Sequence, residues 1–109
     1  MAFDDQLAER IRQHLGERRD VTEKKMFGGL AFLVNGNMCC GVHGRELIVS
    51  LDPEQTGRAL SKPHTRAFDL TGRPMKGWIL VQPQGLTTKA VLSKWVQAGM
   101  KYASSLPAK

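Results

Sequence analysis

The fold of this chain is decided by residues 24–51, which read KKMFGGLAFLVNGNMCCGVHGRELIVSL. At the centre of this stretch, Asn35 and Gly36 separate two apolar runs. Both residue types tolerate the positive φ angles of a type I′ turn, so the pair is a strong signal for a β-hairpin. Residues 38–42 are therefore predicted to pair backwards onto residues 24–34.

Two further glycine-containing pairs divide this stretch into shorter strands. Gly28 and Gly29 interrupt the first apolar run and predict a kink or tight turn between two strands. His43 and Gly44 predict another turn, followed by a strand over residues 46–51, which are rich in β-branched and apolar side chains. The crossovers that parallel strands require are absent, so the stretch predicts an antiparallel meander of four strands.

Helical patterns lie at both ends of the chain. Residues 3–15 carry apolar side chains at spacings of three and four, with Asp4 or Asp5 as the N-cap and Gly16 as the terminator. Residues 88–106 form a second amphipathic pattern, in which Trp95 and Tyr102 are expected to supply much of the buried area. The predicted buried arc consists of Val91, Leu92, Trp95, Val96, Ala98, Gly99, Tyr102, Ala103 and Leu106.

The middle of the chain predicts one short helix and two more strands. Asp52 is a suitable N-cap for Pro53 at the first helical position, and this covering helix ends before Pro63. Residues 66–70 and 78–81 have the composition of strands. The resulting prediction is an α+β, two-layer domain with a largely antiparallel sheet of five to six strands covered by N- and C-terminal helices, in the order α-β-β-β-β-α-β-β-α.

Length and composition limit the class of protein. The 109 residues suffice for one hydrophobic core, so residues 1–109 are predicted to form a single domain. Hydrophobic residues make up 41% and charged residues 24%, which argues against disorder and coiled coil. No apolar run approaches the ~20 residues that span a bilayer, and the adjacent Cys39 and Cys40 cannot form a secreted disulfide framework. These features predict a cytoplasmic protein without membrane contact.

Positive charge is concentrated in the C-terminal part. The net charge is +6, while the first 62 residues contain nine basic and nine acidic side chains. The whole excess therefore lies in residues 63–109, where Asp69 is the sole acidic residue. An anionic partner, nucleic acid included, is one reading of this excess, and an ordinary solvated lysine surface is the other.

The first candidate site combines Lys24 and Lys25 with Gly28 and Gly29. Bare glycine backbone lets an anionic or planar ligand approach closely, although the spacing is not that of a P-loop. A β-bulge or turn is the alternative explanation for the glycines. Strand alternation places the two lysines on opposite faces, so one is expected along the covered face with a carboxylate as its partner.

A second basic cluster, Arg73 and Lys76, lies beside Trp78. Cations next to an aromatic ring can hold a phosphate and stack a base, which keeps nucleic acid open as a partner. A rigid, solvated connection between two strands is the alternative. The directions in which Lys24, Arg73 and Lys76 point are informative, since their convergence would indicate a shared anionic ligand.

Neither a metal site nor a catalytic set is predicted. Cys39 and Cys40 are successive residues of a strand, so their side chains are expected on opposite faces, where they cannot chelate one ion together. His43 and His64 are lone histidines near turns, and His43 beside Glu46 is the nearest approach to an acid–base pair. The prediction is therefore no metal, no cofactor and no catalytic residue.

The residues quoted so far resemble the TfoX/Sxy N-terminal domain family over almost the whole chain. Four stretches carry the resemblance: TEKKMFGGLAF (22–32), MCCGV (38–42), PH (63–64) and TGRPMKGW (71–78). The resemblance implies a bacterial cytoplasmic α+β domain whose sheet is covered by helices. It further implies a link to regulators of natural competence genes, which act with the cyclic-AMP receptor protein at promoters and carry a second domain. This chain is expected to be a stand-alone, single-domain member.

The function predicted from these observations is that of a non-enzymatic regulatory or adaptor domain that contacts a protein partner, with its basic C-terminal part helping when that partner lies on nucleic acid. Its candidate binding residues are Lys24, Lys25, Gly28, Gly29, Arg73 and Lys76. The alternative is a small anionic-ligand-binding protein or minor enzyme with a pocket near Lys24 and Arg73. A homodimer built on an uncovered strand edge is a further possibility.

Overall fold

The computed structural model describes residues 4–16, 20–26, 28–68 and 77–108. Within these residues the helices are α1 (Asp5–Leu15), α2 (Thr56–Leu60) and α3 (Lys89–Ser105), with short 3₁₀ turns at Pro53–Gln55 and Pro83–Gly85. The strands are β1 (Val21–Met26), β2 (Gly29–Val34), β3 (Asn37–His43), β4 (Glu46–Ser50), β5 (Thr65–Ala67) and β6 (Trp78–Val81).

All strand pairs are antiparallel and form one sheet in the order β1-β2-β3-β4-β6-β5. The hairpin between β2 and β3 turns at Asn35 and Gly36, whose φ angles of 52° and 84° are those of a type I′ turn. Because β6 inserts between β4 and β5, the last two strands extend the meander on one side. The predicted α+β fold and element order are confirmed.

The main core lies between the sheet and helices α1 and α3. Alternate residues of the strands face these helices, and Phe32, Val34, Val42, Val49 and Val81 are fully buried there. On the opposite face a smaller cluster is buried, consisting of Ala31, Met38, Ile48, Phe68 and Leu80, with Leu33 and Trp78 packed against it. Both faces of the central strands are therefore covered.

The two cysteines correct one prediction. The β2–β3 register shifts between Phe32 and Leu33, because Phe32 pairs with Cys40 while Leu33 pairs with Met38. Cys39 is thus the extra residue of a β-bulge, which rotates its side chain out of the regular alternation. Cys39 and Cys40 consequently both belong to the core beneath the helices, and the expectation of opposite faces is wrong.

Helix α3 packs on this bulge through Gly99. A Cβ atom at Gly99 would lie 2.1 Å from the carbonyl oxygen of Cys39, a distance that no side chain can adopt. Glycine is therefore required where the helix backbone crosses the strand backbone. The short separation brings Leu92, Val96 and Ala103 of the same helix into the core, where each is fully buried.

The helix ends follow the predicted capping pattern. The Asp4 carboxylate accepts hydrogen bonds from the backbone N–H groups of Gln6 and Leu7, and Gly16 ends α1 with φ 65°. Thr88 caps α3, accepting from the N–H of Val91 at 3.2 Å. These bonds satisfy donors that a helix start leaves without intrahelical partners.

Some element limits differ from the predicted ones. Strand β1 begins at Val21, before the predicted start at Lys24, because Val21 pairs with Val34 across the hairpin. Strand β5 covers only Thr65–Ala67, and the end of its predicted range falls outside the described residues. Val91, placed by periodicity in the buried arc, is 38% exposed.

Among the described residues, no helix combines the length and the apolar character needed to cross a membrane.

Candidate functional site

An open groove of about 490 Å³ lies between α3 and two connecting segments. One wall is the loop that joins α2 to β5, the other is the exposed side of α3, and the 3₁₀ turn before α3 closes one end. Its lining residues are Lys62, Pro63, His64, Gln84, Gly85, Thr87, Val91, Lys94, Trp95 and Ala98. The volume is in the range of sites that hold small ligands or a few side chains of a partner.

Lys62 is held in place through its backbone. Its N–H donates to the carbonyl oxygen of Ala59 at 3.1 Å, and its own carbonyl accepts from the Thr65 hydroxyl at 2.8 Å. The side chain crosses the groove, with its ammonium nitrogen 5.2 Å from the ring centroid of Trp95. This is a cation–π contact between the two walls.

His64 has an unusual backbone conformation beside the groove. Its φ angle of 63° lies in the left-handed region, which non-glycine residues seldom adopt. Its carbonyl accepts from the N–H of Gln82 at 2.7 Å, which ties the loop to the end of β6. Gly85 lies directly against it, since a Cβ there would be 2.9 Å from the His64 Cβ. The surrounding chain therefore stabilises a conformation that His64 alone disfavours.

The helical wall presents one apolar strip flanked by charge. Val91, Trp95 and Ala98 follow one another at helical spacing and line the groove, with Lys94 beside them. Val91 is the exposed large hydrophobic residue of the described chain, whereas Trp95 is only 9% exposed. The groove thus combines an apolar floor with two exposed ammonium groups.

The electrostatics of the groove are one-sided. Its lining includes Lys62, Lys94 and His64 and no Asp or Glu. Within the described residues, neither lysine forms an ion pair. A carboxylate or phosphate entering the groove would therefore meet cations that are not already neutralised by a salt bridge.

Two ion pairs outside the groove involve carboxylates of the sheet. Glu23 accepts from Arg12 at 2.8 and 2.9 Å, and this hydrogen bonding lowers the pKa of Glu23. Glu46 accepts from Arg66 at 2.7 and 2.8 Å, and its pKa is also lowered, chiefly by Arg66 with a smaller effect from His43. Both pairs join separate elements, and Glu46, the carboxylate beside His43 in the sequence, is bound by Arg66.

The predicted site residues of β1 lie far from the groove lining. Lys24 and Lys25 are both exposed at the edge of the sheet and point to opposite faces. Lys25 pairs with Leu30 of the main core and so lies on the helix-covered face as expected, but it forms no ion pair with a described residue, and Glu23 on the same face binds Arg12. Gly28 is exposed with φ 71°, and Gly29 is buried against the backbone of β3.

Arg73 and Lys76 lie outside the described residues, and so does any convergence of Arg73 with Lys24. Neither groove described here is lined by Lys24, Lys25, Gly28 or Gly29. The smaller one, about 100 Å³, lies at the start of α1 between Arg10 and Arg45. The candidate residues chosen from the sequence therefore remain predictions about a different surface.

The two thiols form a buried pair. The Sγ atoms of Cys39 and Cys40 are 3.6 Å apart and both residues are fully buried. The hydrogen bond between the thiols and the burial raise the pKa of Cys40. A thiol in this state is a poor nucleophile. Within the described part of the chain, no three Asp, Glu, His or Cys residues are grouped so as to hold a metal ion.

The sequence did not single out the groove. Helical periodicity assigned Trp95 to the core, which its burial supports, but the ring also borders an open space. The sequence indicates Pro63 as the end of the covering helix and His64 as a lone histidine, and both also belong to the family resemblance. The positive φ of His64 and the contact of Lys62 with Trp95 depend on residues that are distant in sequence. No local sequence pattern predicts them.

The sequence model described as the TfoX N-terminal domain matches residues 13–103, which include every described strand, α2 and most of α3, but only the C-terminal end of α1. No curated protein matches the chain. No solved structure matches it either.

Proposed function

The chain belongs to the TfoX N-terminal domain family, and from this premise we propose that it is a non-enzymatic regulatory or adaptor domain whose groove between α3 and the α2–β5 loop binds an acidic segment of a partner protein. The observation that carries the proposal is the charge of the groove. Lys62 and Lys94 stand on opposite walls, without ion pairs in the described residues, and no carboxylate lines the space between them.

Charge complementarity favours an acidic partner over a neutral one. Opposite charges across an interface steer association and exclude partners of like charge. Ten residues line the groove, whereas each partner contributes roughly 20–30 residues to a standard protein interface. The groove therefore accommodates a short segment and not a whole domain face. An adaptor that recognises a short segment needs no catalytic residues, in agreement with the inert, buried thiols.

A small organic anion is the second candidate occupant. The volume of about 490 Å³ and the apolar floor match small-molecule sites as well as peptide sites. This alternative retains the anionic ligand predicted from the sequence but moves it from Lys24 and Arg73 to Lys62 and Lys94. Benzoate, a small aromatic carboxylate, serves as its probe.

The test uses short synthetic peptides in which one variable residue is flanked on each side by glutamates. Binding is measured by isothermal titration calorimetry with the native chain and with the double variant Lys62→Glu/Lys94→Glu. Saturable binding is expected for at least one peptide, and the double variant is expected to weaken it about tenfold or more.

Two variants of equal charge change serve as controls. Lys89→Glu/Lys101→Glu reverses exposed lysines of α3 outside the groove, and Lys24→Glu/Lys25→Glu reverses those of β1. Both are expected to weaken binding only slightly. Equal losses in all three double variants would mean nonspecific attraction, and a loss confined to β1 would transfer the site to the residues predicted from the sequence. Either result contradicts the proposal.

Duplex DNA and benzoate complete the comparison. If duplex DNA binds at low salt with the steep salt dependence of phosphate contacts while no peptide binds, the adaptor proposal fails in favour of nucleic acid. If benzoate binds in the groove and no acidic peptide binds, the small-ligand alternative replaces the adaptor proposal.

A further inference from the structure

The starting observation is that a cation of the protein itself occupies the aromatic floor of the groove. The ammonium of Lys62 lies 5.2 Å from the Trp95 ring centroid, and Trp95 is only 9% exposed although it lines the groove. The side chain of Lys62 is itself exposed and has no ion pair in the described residues. One side chain therefore blocks the indole face and is at the same time available to an anion.

These two roles are linked by the relative strength of the contacts. The exposed cation–π contact is weak, so a carboxylate that forms a well-aligned charge-assisted hydrogen bond with the ammonium competes with it. A carboxylate that enters the groove therefore draws Lys62 towards itself. The backbone of Lys62, held at Ala59 and Thr65, stays in place, so only the flexible side chain moves.

Movement of Lys62 uncovers apolar surface. The indole face of Trp95 joins Val91, already 38% exposed, in one strip along α3, and the small side chain of Ala98 leaves room at its end. Apolar surface newly exposed to water is unfavourable unless something covers it. An apolar side chain next to the carboxylate would cover this strip, whereas a purely acidic segment would leave it exposed.

We infer that the groove recognises two features of one partner segment together: a carboxylate that binds Lys62, and a neighbouring aromatic or large aliphatic side chain that replaces Lys62 on Trp95. This inference rests on the proposed function, because it specifies which acidic segments the groove accepts. Lys62 acts as a displaceable cover, and Trp95 and Val91 determine the preference for the apolar residue.

The experiment compares members of the same peptide set. Calorimetry with the native chain measures the affinity of the phenylalanine-centred, leucine-centred and glycine-centred peptides, and of a phenylalanine-centred peptide with glutamines in place of glutamates. The phenylalanine and leucine peptides are expected to bind about tenfold more tightly than the glycine peptide. The glutamine version is expected to lose most of the affinity.

The displacement of Lys62 is read from the tryptophans. The two indole N–H signals in the ¹H–¹⁵N spectrum are assigned with Trp78→Phe, and binding of the phenylalanine peptide is expected to shift the Trp95 signal while Trp78, on the other face of the sheet, stays unchanged. If Trp78→Phe does not fold, the calorimetric comparison on the native chain still decides the inference.

Two variants test which residues are responsible for the carboxylate preference and for the apolar preference. Lys62→Gln leaves Lys94 in the groove and is expected to reduce the difference between glutamate and glutamine peptides about threefold or more. Val91→Ala is expected to reduce the preference for phenylalanine over glycine by a similar factor. Lys101→Gln, on the same helix outside the groove, is the control and is expected to change neither ratio.

The outcomes separate this inference from the proposed function. If the glycine and phenylalanine peptides bind equally and Lys62→Glu/Lys94→Glu weakens both, the groove binds acidic segments without reading an apolar residue, and only the inference is overturned. An unchanged Trp95 signal on binding overturns it too. If no peptide binds the native chain, the proposed function fails together with it.

Discussion

The two sides of helix α3 differ sharply in packing. On the side facing the sheet, Leu92 is fully buried, and Gly99 lies so close to the Cys39 carbonyl that no Cβ fits between them. On the opposite side, Val91 is 38% exposed and borders a groove of about 490 Å³. One helix therefore contributes both a close backbone-to-backbone contact in the core and an open wall.

This difference predicts different effects of substitutions on the two sides of α3. Residues packed on the bulge resist substitution, because a close-packed interior neither shrinks nor expands without cost. Exposed residues along the groove, such as Val91 and Lys94, are less tightly packed, so substitutions there cost less stability. Substitutions on the two sides should therefore separate loss of stability from loss of binding.

The largest contrast is expected between adjacent residues 92 and 91. Leu92→Ala removes a fully buried side chain and leaves a cavity, so the free energy of unfolding should fall by about 2–5 kcal/mol. Val91→Ala removes a partly exposed side chain and should change it by about 0.5 kcal/mol or less. Urea denaturation measures both, and similar losses for the two variants would show that the two sides of α3 do not differ as described.

Gly99→Ala is expected to destabilise the domain by about 1–3 kcal/mol, because its Cβ would clash with the Cys39 backbone. The matched control is Gly57→Ala in α2, where a Cβ meets no atom within 4 Å. Alanine is the better helix former, so the control should be neutral or stabilising by up to about 1 kcal/mol. A Gly99→Ala variant as stable as the control would disprove the close approach of α3 to the bulge.

The reactivity of the buried thiols measures how closely α3 packs on the bulge at Cys39. Because Cys39 and Cys40 are fully buried and the pKa of Cys40 is raised, DTNB should modify them in the folded protein about a hundredfold more slowly than in urea. Gly99→Ala should accelerate the reaction by loosening α3, and Gly57→Ala should not. Rapid modification of both thiols in the native protein would contradict their placement in the core.

Removal of the Lys62 ammonium should affect stability much less than substitution of Leu92 or Gly99. Lys62→Ala loses an exposed cation–π contact with Trp95, so the free energy of unfolding should fall by about 0.5–1 kcal/mol at most. Thermal and urea unfolding measure this loss. A decrease as large as that of Leu92→Ala would make Lys62 a structural residue and remove the division between the two sides of the helix.

The smallest expected effect on stability concerns the ion pair between Arg66 and Glu46, on the face of the sheet opposite α1 and α3. Arg66 lowers the pKa of Glu46, so the pair stabilises the folded state fully above the ordinary Glu pKa of about 4.3 and loses this contribution as pH falls through the lowered value. Glu46→Gln should therefore flatten the decline in stability between about pH 5 and pH 3 by roughly 0.2–1 kcal/mol, since the pair is partly exposed.

The control for this pH profile is Glu54→Gln, whose carboxylate forms no ion pair among the described residues. Its unfolding free energy should follow the native curve. If Glu46→Gln also follows the native curve, the pair contributes nothing measurable to folding.

Local signals explain why so much of the fold was predictable. Asn35 and Gly36 specify a tight turn by their own backbone preferences, and the spacing of apolar residues in α1 and α3 specifies which faces are buried. The errors have a common origin. The bulge at Cys39 arises from register with β2, and the exposure of Val91 depends on where the α2–β5 loop stops.

The candidate site was less predictable than the fold. Sequence reasoning selected clustered cations, such as Lys24 with Lys25, because neighbours in sequence are visible as a motif. The groove instead joins Lys62 to Trp95, which lie on separate elements and meet only through packing. Of its two lysines, Lys94 belongs to the basic excess of residues 63–109, whereas Lys62 lies in the first 62 residues, whose charges balance.

The sequence by itself determined the antiparallel meander, the flanking helices and the basic character of the C-terminal part, because turn geometry, periodicity and charge are properties of neighbouring residues. Only the tertiary structure decided that Cys39 and Cys40 share one face, that Gly99 touches the strand, and that Lys62 covers Trp95. These features depend on how separate elements pack against one another, and that packing is governed by contacts between residues far apart in the chain.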